Sequence, residues 1–180
     1  MLHRQQLPAA PTRAAVKANA VGAGLAACAA ACLTLAIAAL KPDEGKRNVD
    51  YLDLARVPSA CFGHTGPDVK VGTRRTDAQC EAMLAVDARV KRDGVAACVP
   101  QLQTRPAIWA ASTRMAFNTG VAAFCHSSTA RAFNRSEWRA GCDAMLLWNK
   151  AVVNGRKVVV PGLAARRERE RAQCLTGVTA

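Results

Sequence analysis

Glu44, Asp53 and Ser59 are the residues best suited by type and spacing to carry chemistry. They lie in EGKRNVDYLDLARVPSACFGHTG, residues 44–66, the second carboxylate nine residues after the first and the hydroxyl six residues after that. Two carboxylates suit general acid–base work. Cleaving a glycosidic bond, for instance, needs one group to protonate the leaving oxygen and a second carboxylate on the anomeric side. A glutamate lodged in a partly apolar cleft resists ionisation and so suits the first role. A hydroxyl nearby can orient water. Two acids at this spacing occur in most proteins, so the pair alone assigns nothing.

These residues need elements to position them. Pro42 is expected to close the apolar run before it, and residues 43–52 to form a short helix with Glu44 in its first turn. Residues 53–75 are rich in Pro, Gly and β-formers and predict a small hairpin or three short strands. Thr76 with Gln79 is a capping-box pattern that starts a helix ending near Gly94. Further helices are expected over about 105–117, from Val121 towards Phe124, over Ser128–Phe133, after a Ser136 cap, and over about 162–174. A turn falls at Asn154–Gly155. The expected class is α+β, a small β-element followed by a mainly helical lobe.

Residues 18–40, ANAVGAGLAACAAACLTLAIAAL, carry no charge over 23 positions, long enough to span a bilayer. Arg4, Arg13 and Lys17 precede the run, which orients the N-terminus inward. Eleven of the 23 are alanine and two are glycine. The six strongly apolar residues contribute roughly −2 to −4 kcal/mol to insertion, a weak span. A releasable anchor is the preferred reading, ahead of a cleaved signal, for which Ala36 and Ala38 form an A-x-A pattern, and of a permanent anchor. A buried soluble helix is not expected, because polar and apolar faces do not alternate. The organisation is then a basic N-terminus (1–17), an anchor helix (18–40) and a globular domain (41–180).

Six of the eight cysteines, Cys61, Cys80, Cys98, Cys125, Cys142 and Cys174, are scattered through that domain without metal-ligand spacing. No metal site is expected; three disulfides formed outside the cytoplasm are. Cys125 with Cys142 is the pairing favoured by their nearness in sequence. Cys28 and Cys32 lie one turn apart in the apolar run and should remain thiols, because their Cβ atoms are too far apart on a helix to bond. The formal charge of +12 favours anionic partners. No zinc finger, RNA-binding motif or basic–aromatic stripe accompanies it, so a nucleic-acid partner is not expected.

The 44–66 segment resembles the catalytic segment of the phage-type lysozymes, glycoside hydrolase family 24. Later blocks extend the resemblance in order: AFNTG (116–120), FCHSS (124–128), FNRSEW (133–138), and PGLAARRERE (161–170) against a GL-x-x-RR-x-x-E pattern. The likeness runs from about residue 42 to 174 and implies a lysozyme-like fold. It implies an endolysin cutting the β-1,4 bond between N-acetylmuramic acid and N-acetylglucosamine of peptidoglycan, by inversion, as a monomer and with no cofactor. Glu44 would be the acid, Asp53 the second carboxylate, and Ser59 the water-orienting hydroxyl where the family usually has threonine. Asn118 and Phe117 would line the sugar cleft, while His64, Asp43 and Arg166 would be structural or tune the acid. The anchor resembles a signal-anchor-release segment, which would tether the enzyme to the inner membrane and then free it into the periplasm. Two rivals remain. A non-catalytic wall-binding protein with this fold would tolerate loss of Glu44 or Asp53, yet both are present. A lytic transglycosylase would not need Asp53.

Overall fold

A computed structural model describes residues 13–53 and 55–178, with side chains from residue 21 onward. Most of the basic segment ahead of the anchor therefore lies outside the described residues.

The apolar run does not end at Pro42. One helix, α1, extends from Arg13 to Glu44, and the boundary between residues 40 and 41 falls inside it. Its 32 residues span about 48 Å. Proline removes one i→i−4 bond, but only in the last turn, where Asp43 and Glu44 are held by arginines from distant helices. Gly45, at φ +67°, ends the helix in the left-handed conformation. The short helix expected over 43–52 is thus replaced by the last residues of α1 and by β1 (Arg47–Leu52).

The C-terminal part of α1 is buried, contrary to expectation. Cys32, Ala36 and Leu40 are each 0% exposed, and Leu33 and Ile37 are half-buried beside them. The buried face is built from small residues one turn apart, so it shows as a pattern of side-chain size and not of polarity. The N-terminal part overhangs the body, with Val21 64% exposed.

β1 pairs antiparallel with β2 (Pro58–Cys61), with Tyr51 opposite Ser59, so the hairpin starts earlier than expected. Val49 and Ala60 add single bridges to Arg74 and His64. Asp50 points inward from β1 and is held by the Arg75 guanidinium at 2.8 Å, which keeps its carboxyl below the usual range. A small core of Leu40, Phe62, Val69, Leu84 and Ala88 supports this lobe.

Helix α2 (Asp77–Cys98) begins with the expected capping box, Thr76 and Gln79 bonding reciprocally. It runs through Gly94, which is a point of close approach and not a stop: a Cβ there would meet Val121 Cγ1 at 2.8 Å. A 3₁₀ turn (Pro100–Thr104) leads to α3 (Pro106–Thr119), the buried centre of the larger lobe, against which α1, α2 and the last helix pack. Helices α4 (Val121–Cys125), α5 (Ser128–Asn134) and α6 (Trp138–Ala144) follow. Ser136 does not cap α6. It sits at φ +60°, and Glu137 takes the cap position without a side-chain bond.

Asn154 and Gly155, at φ +50° and +75°, turn a hairpin of β3 (Lys150–Val153) and β4 (Arg156–Val159). Both residues take the left-handed region that a two-residue hairpin loop requires. The last helix, α7, spans Pro161–Thr176.

Three disulfides lock elements within the lobes: Cys61–Cys80 in the smaller, Cys98–Cys125 and Cys142–Cys174 in the larger. The expected Cys125–Cys142 bond is absent because the helices adjacent in sequence are not the ones in contact there. Cys125, at the end of α4, meets the end of α2; Cys142 of α6 meets α7. Cys28 and Cys32 are free thiols.

Candidate active site

Glu44 ends α1 where the two lobes meet. It lines an open cleft of about 300 Å³ with Arg47, Tyr51, Leu52 and Asp53. The cleft therefore brings the two sequence-selected carboxylates together, from the end of a helix and the end of a strand.

Asp53 opens the 53–57 loop of the β1–β2 hairpin. Its Oδ1 accepts from the Val57 amide at 2.8 Å, and the two backbones bond at 3.0 Å. This local turn fixes the carboxylate against its own loop. Ser59 is buried behind that loop, donating to the Val57 carbonyl at 3.2 Å, and does not line the cleft. Arg47 and Tyr51, not singled out from sequence, stack in a cation–π contact at 4.4 Å and add a positive charge to the cleft. Once residues 47–52 are recognised as a strand rather than a helix, their placement follows from the bulge between them.

Behind Glu44 lies a buried charge cluster. Arg166 Nη2 donates to Glu44 Oε1 at 2.6 Å, and Arg166 Nε donates to Glu170 Oε1 at 3.1 Å. Arg167 Nη2 donates to the same Glu170 oxygen at 2.8 Å and to Asn118 Oδ1 at 3.1 Å. Burial pushes Glu170 up from its ordinary range, against the pull of Arg167 and Arg166. Burial lowers Arg167. Burial also works against the Arg166 charge, but its bond to Glu44 outweighs this and raises it. Asp43, next in the chain, is held by Arg114 at 2.6 Å and Arg169 at 2.8 Å. Asp43 thus anchors the end of α1 to α3 and α7 while Glu44 faces the cleft.

The other sequence-selected residues are more scattered. Asn118 is engaged by Arg167. Phe117 lines a second depression of about 330 Å³ with Gly63, Thr65, Asp87, Val90 and Lys91. His64 is clasped by Asp87 through Nδ1 at 2.8 Å and by Asp68 through Nε2 at 3.3 Å. Burial opposes its charge, but the two carboxylates prevail and raise its pKa. Glu170 has no signal in the sequence beyond being the final glutamate of the R-R-x-x-E pattern. Among the described residues, no group of three or more His, Cys, Asp or Glu side chains is placed to hold a metal ion.

A cleft with two carboxylates at a lobe junction, beneath a long helix that carries one of them, can be compared with known proteins. The Phage lysozyme family model matches residues 41–170. The "SAR-endolysin" of Pseudomonas phage phiKMV is 38% identical over 147 residues, covering 81% of this chain and 89% of that protein. Among solved structures, the endolysin from Escherichia coli O157:H7 phage FAHEc1 superposes with a TM-score of 0.72 at 28% identity, covering 78% of this chain and 90% of its own. A variant of P22 lysozyme matches at TM-score 0.67 and 32% identity, covering 78% and 94%. The lysozyme-like fold and the span of the family match agree with the geometry of the cleft: the chain belongs to the phage lysozyme family.

Proposed function

We propose that this protein is a muramidase acting on the β-1,4 bond between N-acetylmuramic acid and N-acetylglucosamine, with inversion and as a monomer. It is a peptidoglycan-hydrolysing endolysin of the lysozyme type, held at the membrane by its N-terminal helix and then released to the periplasm. Glu44 protonates the leaving oxygen. Asp53 works on the anomeric side, with Ser59 shaping the loop that holds it. Phe117 and Asn118 contribute to the sugar-binding face. The observation that carries this reading is the shared cleft: Glu44 and Asp53 line one cavity from a single chain. A lytic transglycosylase requires only the acid, so the second carboxylate favours hydrolysis.

Latency follows from α1. Cys32, Ala36 and Leu40 are buried against the folded domain. In the bilayer the same residues face lipid, and Glu44 lies only four residues beyond Leu40. The acid therefore docks in its cleft only after the helix has left the membrane. Release assembles the site.

The test is hydrolysis of purified peptidoglycan by the released protein, with product analysis. Wild type is expected to clear the suspension and give reducing ends. Glu44→Gln is expected to fold and to lose roughly 10²–10⁴-fold in rate, the usual worth of a positioned acid. Near-normal turnover by Glu44→Gln would refute the assignment, and anhydro-sugar products would replace hydrolysis by transglycosylation.

A further inference from the structure

We propose that Glu170 is a positioning residue for the reaction: it holds Arg166 against Glu44 and offsets the arginine's charge there. This rests on Glu44 being the proton donor. Glu170 is fully buried on α7 and does not line the cleft, so it acts only through its neighbours. One oxygen, Oε1, receives both Arg166 Nε and Arg167 Nη2. Arg166 continues to Glu44, and Arg167 continues to Asn118 at the end of α3. A single carboxylate therefore joins the acid to a residue 74 positions further along the chain, across two helices.

Stability alone is a poor account of this cluster. Buried ion pairs carry a desolvation cost that well-packed apolar side chains avoid. Arg167 Nε and Nη1 and Glu170 Oε2 find no protein partner among the described residues. The geometry gives the cluster another use. Arg166 brings a full positive charge to within 2.6 Å of Glu44 Oε1. Glu170 shares that positive charge from the far side of the guanidinium. The charged and titratable groups around Glu44 are Arg166 and Glu170 from α7, Arg47, Tyr51 and Asp53 from the hairpin, and Asp43 with its partners Arg114 and Arg169. Of these, Glu170 is the one whose contact with Glu44 runs entirely through Arg166.

Glu170→Gln and Glu170→Asp separate the two roles. Glutamine keeps an oxygen for Arg166 but removes the charge. Aspartate keeps the charge but shortens the reach. Steady-state kinetics of the released full chain on soluble peptidoglycan strands, across pH, are the readout. For Glu170→Gln, the alkaline limb of the kcat profile is expected to move to lower pH. For Glu170→Asp, the limb should stay while kcat falls on the order of 10- to 100-fold with KM little changed, the cost of a misplaced reacting group. If Glu170→Gln does not fold, Glu170→Asp decides: unchanged kcat overturns the proposal. A variant that folds less stably but keeps the wild-type kcat, KM and pH limb would make Glu170 a structural counter-ion and likewise overturn it. Glu44→Gln runs alongside. If it remains active, the catalytic reading fails; if it is inactive while both Glu170 variants behave as wild type, only this inference fails.

Discussion

Individual side chains here do their work through the charges facing them. Asp53 accepts from its own loop, so Asp53→Asn keeps one acceptor oxygen and the turn while losing the negative charge. It should fold as wild type and lose most activity in the peptidoglycan assay; full activity would remove Asp53 from the mechanism. His64 permits a prediction in pH. Its folded pKa is raised by Asp87 and Asp68, so the protonated form is the stabilised one. The contribution is fully present below the unfolded value of about 6.5 and is lost as pH rises through the folded pKa. Thermal melts across this range should show Tm falling as pH rises, with a shallower fall in Asp87→Asn. An equal slope in both proteins would show that the pair is not the source.

Helix α1 has two environments to satisfy, and its composition reflects both. Alanine is a poor membrane residue but a good helix former, and on the docked face its small side chain permits close approach to α3. The overhanging part offers a way to separate the two roles. Ala23, Ala26 and Ala27 are exposed, so leucine at all three should strengthen the span without disturbing the docked contact. The expected result is longer retention in the membrane fraction and delayed lysis, with wild-type activity once the protein is extracted. Undelayed lysis by a stably inserted variant would rule out release as the switch. Ala36→Leu is the counterpart: it adds bulk at a fully buried position and should cost about 1–3 kcal/mol of folding stability, read as a lower denaturation midpoint.

At the scale of the whole molecule, each disulfide locks elements within one lobe, while the ion pairs at the end of α1 join segments distant in sequence. The bridges close loops of 19, 27 and 32 residues and each stabilises the fold by about 3–4 kcal/mol on a chain-entropy estimate. They leave both anchor thiols out. Cys32 is buried within 3.9 Å of the Thr113 hydroxyl, and Cys28 lies higher on the same helix. Glu44, Asp53 and Ser59 include no thiol, so the proposed chemistry offers Cys28 and Cys32 no catalytic cysteine to act on. Cys28→Ser combined with Cys32→Ser should therefore leave activation largely intact. Mass spectrometry of the released protein provides the check: a bridge from Cys28 or Cys32 to a later cysteine, with lysis lost in the double variant, would make thiol exchange the trigger.

The sequence by itself determined what depends on neighbours. Thr76 and Gln79 announced the start of α2, Asn154–Gly155 announced a turn, and the order of Glu44, Asp53 and the RRERE block announced the family. Those signals are local because caps, turns and motif spacing are satisfied within a few residues. Tertiary structure decided the rest. Pro42 lies inside a helix because arginines at 114, 166 and 169 hold the residues after it. Cys125 bonds Cys98, and not its nearer neighbour in sequence, because disulfides follow helix contacts. The face of α1 was hidden because a stripe of cysteine, alanine and leucine has no polarity contrast; only packing against α3 and α2 gives it a side. Glu170 reaches Glu44 from 126 residues away through one guanidinium. A contact at that separation leaves no periodicity in a chain, since it depends on the relative placement of two helices and not on the residues between them.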